Sequence, residues 1–248
     1  MLLWIIGFAL LGSIGSIAGA ALFLFFPEGI RRVLIPQLVS YATGTLLGAA
    51  FLGMIPAALQ QAPANLVMTT VLVGMVLFFV LEKLVLWRHH HDNHERGAKT
   101  REGVLILVGD AFHNFVDGIV IAAAFLISIP LGVATALAVI AHEIPQEVGD
   151  FAILLDSGYD IKKALLLNSL SAATTLPGAV MAYLWLDEMH EATPYILALS
   201  AASFIYIATA DMIPGLHQQV TPAALLKQLL LLVLGVGSIA LFHLKINS

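Results

Sequence analysis

No cysteine occurs among the 248 residues. A disulfide framework, a thiolate metal site and a nucleophilic thiol are therefore excluded. Charge is nearly as scarce. Asp, Glu, Lys and Arg make up 11% of the chain, against about 25% in an ordinary soluble domain. Such a surface could not keep the chain dissolved, and no soluble domain of useful size fits. Positive charge is the rarer sign, with 11 basic against 16 acidic residues and a net charge of −5. No basic face is available for nucleic acid. No basic segment precedes the first apolar run, so Ala18-Gly19-Ala20 is read as part of a retained helix, not as a signal-peptide cleavage site. The alternation of apolar and polar residues that marks a membrane β-barrel is also missing.

Long apolar runs are abundant. Hydrophobic residues make up 60% of the chain, and the mean hydropathy is +0.95. A helix crossing a bilayer needs about 20 apolar residues. Runs of that length fall near 2–26, 34–59, 64–87, 103–128, 131–155, 161–186, 194–214 and 223–244. The expected fold is an all-α integral membrane bundle of eight spans, with residues 1–248 forming a single transmembrane domain. Turn chemistry separates the runs at Pro27-Glu28-Gly29, Pro63, Pro130, Ser157-Gly158, Pro194 and Pro222. Trp4, Trp87, Trp185 and Tyr195 fall near span ends and fit interfacial anchoring.

Basic residues give an orientation. Arg31, Arg32, Lys83, Arg88, Arg96, Lys99, Arg101, Lys162, Lys163 and Lys227 all fall on one side of an eight-span layout, leaving Lys245 for the other. The positive-inside rule makes that side cytoplasmic, with both termini extracytoplasmic and a plasma (inner) membrane as the expected location. A weak repeat accompanies this layout. Met54-Ile55-Pro56 with Gln60-Gln61 in span 2 matches Met212-Ile213-Pro214 with Gln218-Gln219 in span 7. These spans run in opposite directions, as in the inverted repeats of secondary transporters.

Ionisable residues within spans are costly and mark functional sites. They concentrate on two adjacent spans. Asp110, His113, Asn114 and Asp117 follow i, i+3, i+4, i+7 spacing and share one helical stripe. His142, Gln146 and Asp150 form one row of span 5, with Glu143 and Glu147 in the row beside it. A short link makes the two spans antiparallel neighbours, so the stripes can face each other. Four carboxylates, Asp110, Asp117, Glu143 and Glu147, then crowd together with no Lys or Arg in either span. Their counter-charge must be protons or a metal cation. Imidazole, carboxylate and amide together suit zinc, with iron, manganese, cobalt or cadmium as alternatives. Polar residues serving as interhelical glue, and a proton relay without metal, are the competing readings.

His113-Asn114-Phe115-Val116-Asp117-Gly118 resembles the fourth-helix signature of ZIP metal transporters. His142-Glu143-Ile144-Pro145-Gln146-Glu147, continuing to Gly149-Asp150, resembles their fifth-helix signature. The resemblance implies a ZIP-like bundle that moves divalent metal, most often zinc, into the cytoplasm between spans 4 and 5. It implies one metal at His113, Asp117, His142 and Gln146, and a neighbouring one at Asn114, Asp117, Glu143 and Gln146. Gln146 stands where relatives carry His or Glu, and Asn168 is the nearest candidate for a sixth-helix ligand. Ala49 and Gly53 replace the Asp and His of many relatives in span 2.

The resemblance further implies helices that move against one another, and a homodimer. No prosthetic group is expected; the divalent cation is substrate, and the lipid bilayer is the surrounding partner. Asp110, Glu147 and Asp150 form a secondary set for metal or path. Asp211 is read as a helix end meeting water or as part of an exit. His89, His90, His91 and His94, in the loop 88–102, are read as solvated or as a weak receiving site. The chain is expected not to be an enzyme. The alternative is an intramembrane zinc metalloprotease, because His142-Glu143-Ile144-Pro145-Gln146 falls one histidine short of H-E-x-x-H.

Overall fold

In a computed structural model, residues 1–89, 98–186, 190–218 and 221–244 are described. They are almost wholly helical, with no strand among them. A lipid interior offers backbone groups no water, so each span must satisfy its own amides, and the helix does so. Eight helical segments are long and apolar enough to cross a membrane. They are α1 (Leu2–Leu24), α2 (Glu28–Leu59), α3 (Ala64–His89), α4 (Ala98–Ile127), α5 (Ile129–Asp156), α6 (Ile161–Ala172 continued by Thr175–Leu186), α7 (Thr193–Leu216) and α8 (Pro222–Leu244).

Two helices depart from the apolar runs. Helix α2 begins at Glu28, six residues before its apolar run. Pro27 precedes it without needing a helical amide partner, Glu28 sits at the positive end of the dipole, and Arg32 pairs back to Glu28 at 2.7 Å. Arg31 and Arg32 thus belong to a helix and not to a loop. Helix α6 is interrupted at Ala173 and Thr174. Pro177 has no N–H for the carbonyl of Ala173, and the break falls there.

The pattern of packing is its own image. Helix α1 lies along α5 and α6 along α4; α2 lies along α8 and α7 along α3. Exchanging α1 with α6, α2 with α7, α3 with α8 and α4 with α5 returns the same set of pairs. This is the inverted repeat that the two Met-Ile-Pro segments suggest. Both segments carry the same local irregularity as well. A wide π turn occupies Ala49–Met54 in α2 and Ile207–Met212 in α7, each directly before Ile-Pro.

Small residues set the closest crossings. A Cβ on Gly118 would lie 2.0 Å from the carbonyl oxygen of Thr175, and one on Gly178 would lie 2.1 Å from that of Phe115. Helices α4 and α6 therefore touch backbone to backbone, as packing within lipid favours. Gly44 and Gly235 do the same for α2 and α8. Helices α2, α4, α5 and α7 are the most buried, and α3 and α8 the least. The polar stripes of α4 and α5 thus lie inside the bundle.

Candidate metal centre

Helices α4 and α5 form a hairpin joined by Ser128 alone. Its side chain accepts a hydrogen bond from the amide of Leu131 and caps α5, while Pro130 occupies a first-turn position that needs no donor. This tight link fixes the register of the two stripes. His113 Nε2 and His142 Nε2 come within 3.2 Å of each other. His113 Nε2 lies 3.3 Å from Glu143 Oε1 and 3.7 Å from Asp117 Oδ2. His142 Nε2 lies 3.3 Å from Asp117 Oδ2 and 3.4 Å from Glu143 Oε1.

These separations have a chemical meaning. With bonds of about 2.0–2.1 Å, the ligand atoms of a tetrahedral zinc are about 3.3 Å apart. Four of the five distances fall within 3.2–3.4 Å. The ring of His142 is held in place. Its Nδ1 is 3.1 Å from the carbonyl of Ala138, and a proton placed there leaves the Nε2 lone pair facing the cluster. The Phe204 ring stands edge-on to the same imidazole at 5.9 Å.

The carboxylates are short of partners. Both oxygens of Asp117 and both of Glu143 are buried without a hydrogen bond among the described residues. Asp117 and Glu143 are each 1% exposed, and His142 is 0% exposed. A buried polar atom left unpaired costs about 1–3 kcal/mol, and more when charged. A dication bound by two carboxylates and two neutral imidazoles removes that deficit with no net charge. His113 is 19% exposed and is the one open corner of the cluster.

Asn114 and Gln146 face elsewhere. The Asn114 amide donates to Asp110 Oδ1 at 3.0 Å and to the Asp110 carbonyl at 3.2 Å, and its oxygen accepts from Thr175 Oγ1 at 3.0 Å. The Gln146 amide donates to Asp110 Oδ1 at 3.4 Å. Asp110, Glu143 and Glu147 form a second group whose oxygens lie within 4.8 Å of one another. Asn168, from the first half of α6, donates to the Glu147 carboxylate and to its backbone carbonyl. Asp150 is half-buried further along α5, and Asp211 is exposed within the π turn of α7. His89 ends α3 with its side chain outside the described residues, and His90, His91 and His94 lie outside them altogether.

Asn168 of α6 was a candidate from the sequence; the two threonines of that helix are the part that sequence reasoning missed. Thr174 Oγ1 donates to the carbonyl of Ala111 and Thr175 Oγ1 to Asn114, both from the break before Pro177. Pro177 was the available signal.

The profile of the ZIP zinc transporter family matches residues 88–243. The chain belongs to that family. It is 35% identical over 231 residues to zinc transporter ZIP13 of Pongo abelii, covering 86% of this chain and 68% of that protein. It is 29% identical over 242 residues to zinc transporter YKE4 of Saccharomyces cerevisiae, covering 84% and 70%. Over 112 residues it is 47% identical to mouse zinc transporter ZIP4, covering 45% of this chain and 17% of ZIP4. ZIP family members are transporters and not enzymes, and the metalloprotease alternative finds no support. In this ZIP chain the glutamate a protease would keep free as a base stands among the ligand atoms, and Gln146, in place of the second zinc histidine, turns to Asp110.

Proposed function

We propose that this chain carries divalent metal, zinc foremost, across the bilayer into the cytoplasm through the position between α4 and α5. The observation that carries this reading is the convergence of His113 Nε2, His142 Nε2, Asp117 Oδ2 and Glu143 Oε1, with four separations of 3.2–3.4 Å and one of 3.7 Å. Metal arriving from outside exchanges its water for these four side chains. Mixed imidazole and carboxylate ligation holds a dication firmly, and release requires that the set can be broken. Only three residues of this set coincide with the primary site that the signatures imply. Glu143 takes the place of Gln146, which in turn helps to hold Asp110.

The basic ends of α2, α4, α6 and α8 face the cytoplasm in this proposal, both termini are extracytoplasmic, and the plasma (inner) membrane is the location. Asp150 and Asp211 belong to the path, and the histidines of loop 88–102 receive metal leaving it. Homodimer formation belongs to the same proposal and is supported by family membership. The test is uptake into proteoliposomes of zinc, cadmium, iron and manganese, each supplied alone. Zinc uptake that is lost in Asp117→Ala supports the reading; a variant as active as the parent overturns the site.

A further inference from the structure

One buried hydroxyl in the bundle has no local partner. Within lipid a serine or threonine commonly turns its hydroxyl back to the carbonyl one turn earlier, as Ser40, Thr43, Ser200 and Thr209 do here. Thr135 of α5 does not. It is 0% exposed, and its Oγ1 has no hydrogen-bond partner among the described residues. The other buried side-chain atoms in that condition belong to Arg31, at the start of α2, and to the carboxylates and amide around the metal centre. Burying an unpaired hydroxyl is costly, and valine would fill the same space without that cost. Packing alone therefore does not account for a threonine at this position.

The place of Thr135 along α5 gives the hydroxyl a meaning. Seven residues separate it from His142, just under two helical turns, so the two share a face about 10 Å apart. Thr135 lies on the side of His142 away from Glu147 and Asp150, in the outer half of the span in the orientation proposed above. Ala138 and Val139, close to that face and between the two, are buried and apolar. One turn before Thr135 is Leu131, whose Cδ1 would lie 2.9 Å from a Cβ on Gly53. This face of α5 thus packs against the wide turn of α2, and the Phe204 ring of α7 stands beside His142. Apolar groups close the metal centre on this side, with one oxygen among them. We propose that Thr135 Oγ1 is a stepping point on the entry side of the route, an oxygen that the incoming dication meets before His142 and that takes the place of one of its waters. The proposal rests on the transport reading above. A hydroxyl offers two lone pairs and no charge. It can lower the barrier to losing water without holding the cation back from the four ligands beyond it.

Zinc uptake by the full chain in proteoliposomes tests this, with thermal stability and equilibrium zinc affinity measured alongside. Thr135→Val removes the hydroxyl and keeps the shape. The expected result is uptake slowed about tenfold, zinc affinity unchanged, and stability equal or raised because an unpaired polar atom is gone. Thr135→Ser should recover most of the rate. Uptake at the parent's rate in Thr135→Val, equal slowing in both variants, or loss of zinc affinity in either overturns the stepping point. Should Thr135→Val fail to assemble, Thr135→Cys gives a second readout in a chain that has no cysteine of its own. In intact cells the introduced thiol should react with a membrane-impermeant methanethiosulfonate added outside, and zinc should shield it. A thiol that never reacts, or that reacts equally with and without zinc, overturns the stepping point. The transport reading fails separately, if the parent chain takes up no zinc.

Discussion

Asp117 carries the cluster's charge balance. Both its oxygens are buried without hydrogen bonds, and one lies 3.3 Å from His142 Nε2. Asp117→Ala removes a proposed ligand and relieves carboxylate crowding at the same time. Zinc uptake should therefore fall more than about a hundredfold while the protein still assembles, as judged by uptake and size-exclusion profile together. Loss of uptake with loss of assembly would mean that the carboxylate is needed for folding and not for transport. Protons compete for the same atoms, because imidazole and carboxylate bind metal only when deprotonated. Zinc affinity should weaken steadily as pH is lowered, and His113→Ala should flatten that dependence. A parent affinity indifferent to acid would argue against histidine ligation. Thr175 acts at one remove, through its hydrogen bond to Asn114. Thr175→Val should leave Asn114 free to turn and loosen Asp110, which is not among the four proposed zinc ligands, so zinc uptake should slow several-fold while zinc affinity, measured by competition with a chelating dye, is kept. Uptake at the parent's rate would show that Asn114 is held well enough by Asp110 alone.

At the scale of the helix, the two π turns carry the clearest message. Pro56 and Pro214 lack the N–H that would bond the carbonyls of Leu52 and Ala210, so one extra residue can be taken into the preceding turn. Each wide turn shifts every following side chain by about 100° relative to a regular helix. In α7 the turn contains Asp211, and Met212 at its end receives a contact from Thr43 of α2 at 3.6 Å. Pro214→Ala restores the donor and favours a regular turn. Zinc uptake should slow several-fold, on the order of 1 kcal/mol in barrier, with zinc affinity unchanged. Full-speed uptake would mark the wide turn as a packing feature only.

The polar stripes were legible because i, i+3, i+4, i+7 spacing in an otherwise apolar run marks a single polar face of a buried helix. The Met-Ile-Pro pair was legible as a repeat, although not as π turns. Two things were not legible. Sequence cannot say which way an amide points, so Asn114 and Gln146 looked like ligands where the structure has them holding Asp110. Nor could it say that the break of α6, which Pro177 marks, brings Thr174 and Thr175 against α4, because threonine in a span is ordinary. The consequence depends on Gly118 and Gly178 letting α6 approach closely enough to reach Asn114.

Across the whole molecule, charge placement and fold agree on a direction. Helix α2 starts with Arg31 and Arg32, α6 with Lys162 and Lys163 and α8 near Lys227, while Lys83 lies in the last quarter of α3. Even-numbered helices starting on one face of an alternating bundle bring these cations to one surface. The turn between α2 and α3 belongs to the opposite surface, and the structure places no Lys or Arg in Gln60–Ala64. Absence of cysteine makes the direction easy to measure, since one introduced thiol is the sole target of a reagent. Ala64 and Lys162 are both exposed and lie on opposite faces. In intact cells, Ala64→Cys should react with a membrane-impermeant maleimide, and Lys162→Cys should react only after permeabilisation. The reverse pattern would place the basic ends outside. It would also turn the proposed route around, because Asp110 and Glu147, about one helical turn nearer the basic ends than His113 and Glu143, would then lie on the entry side.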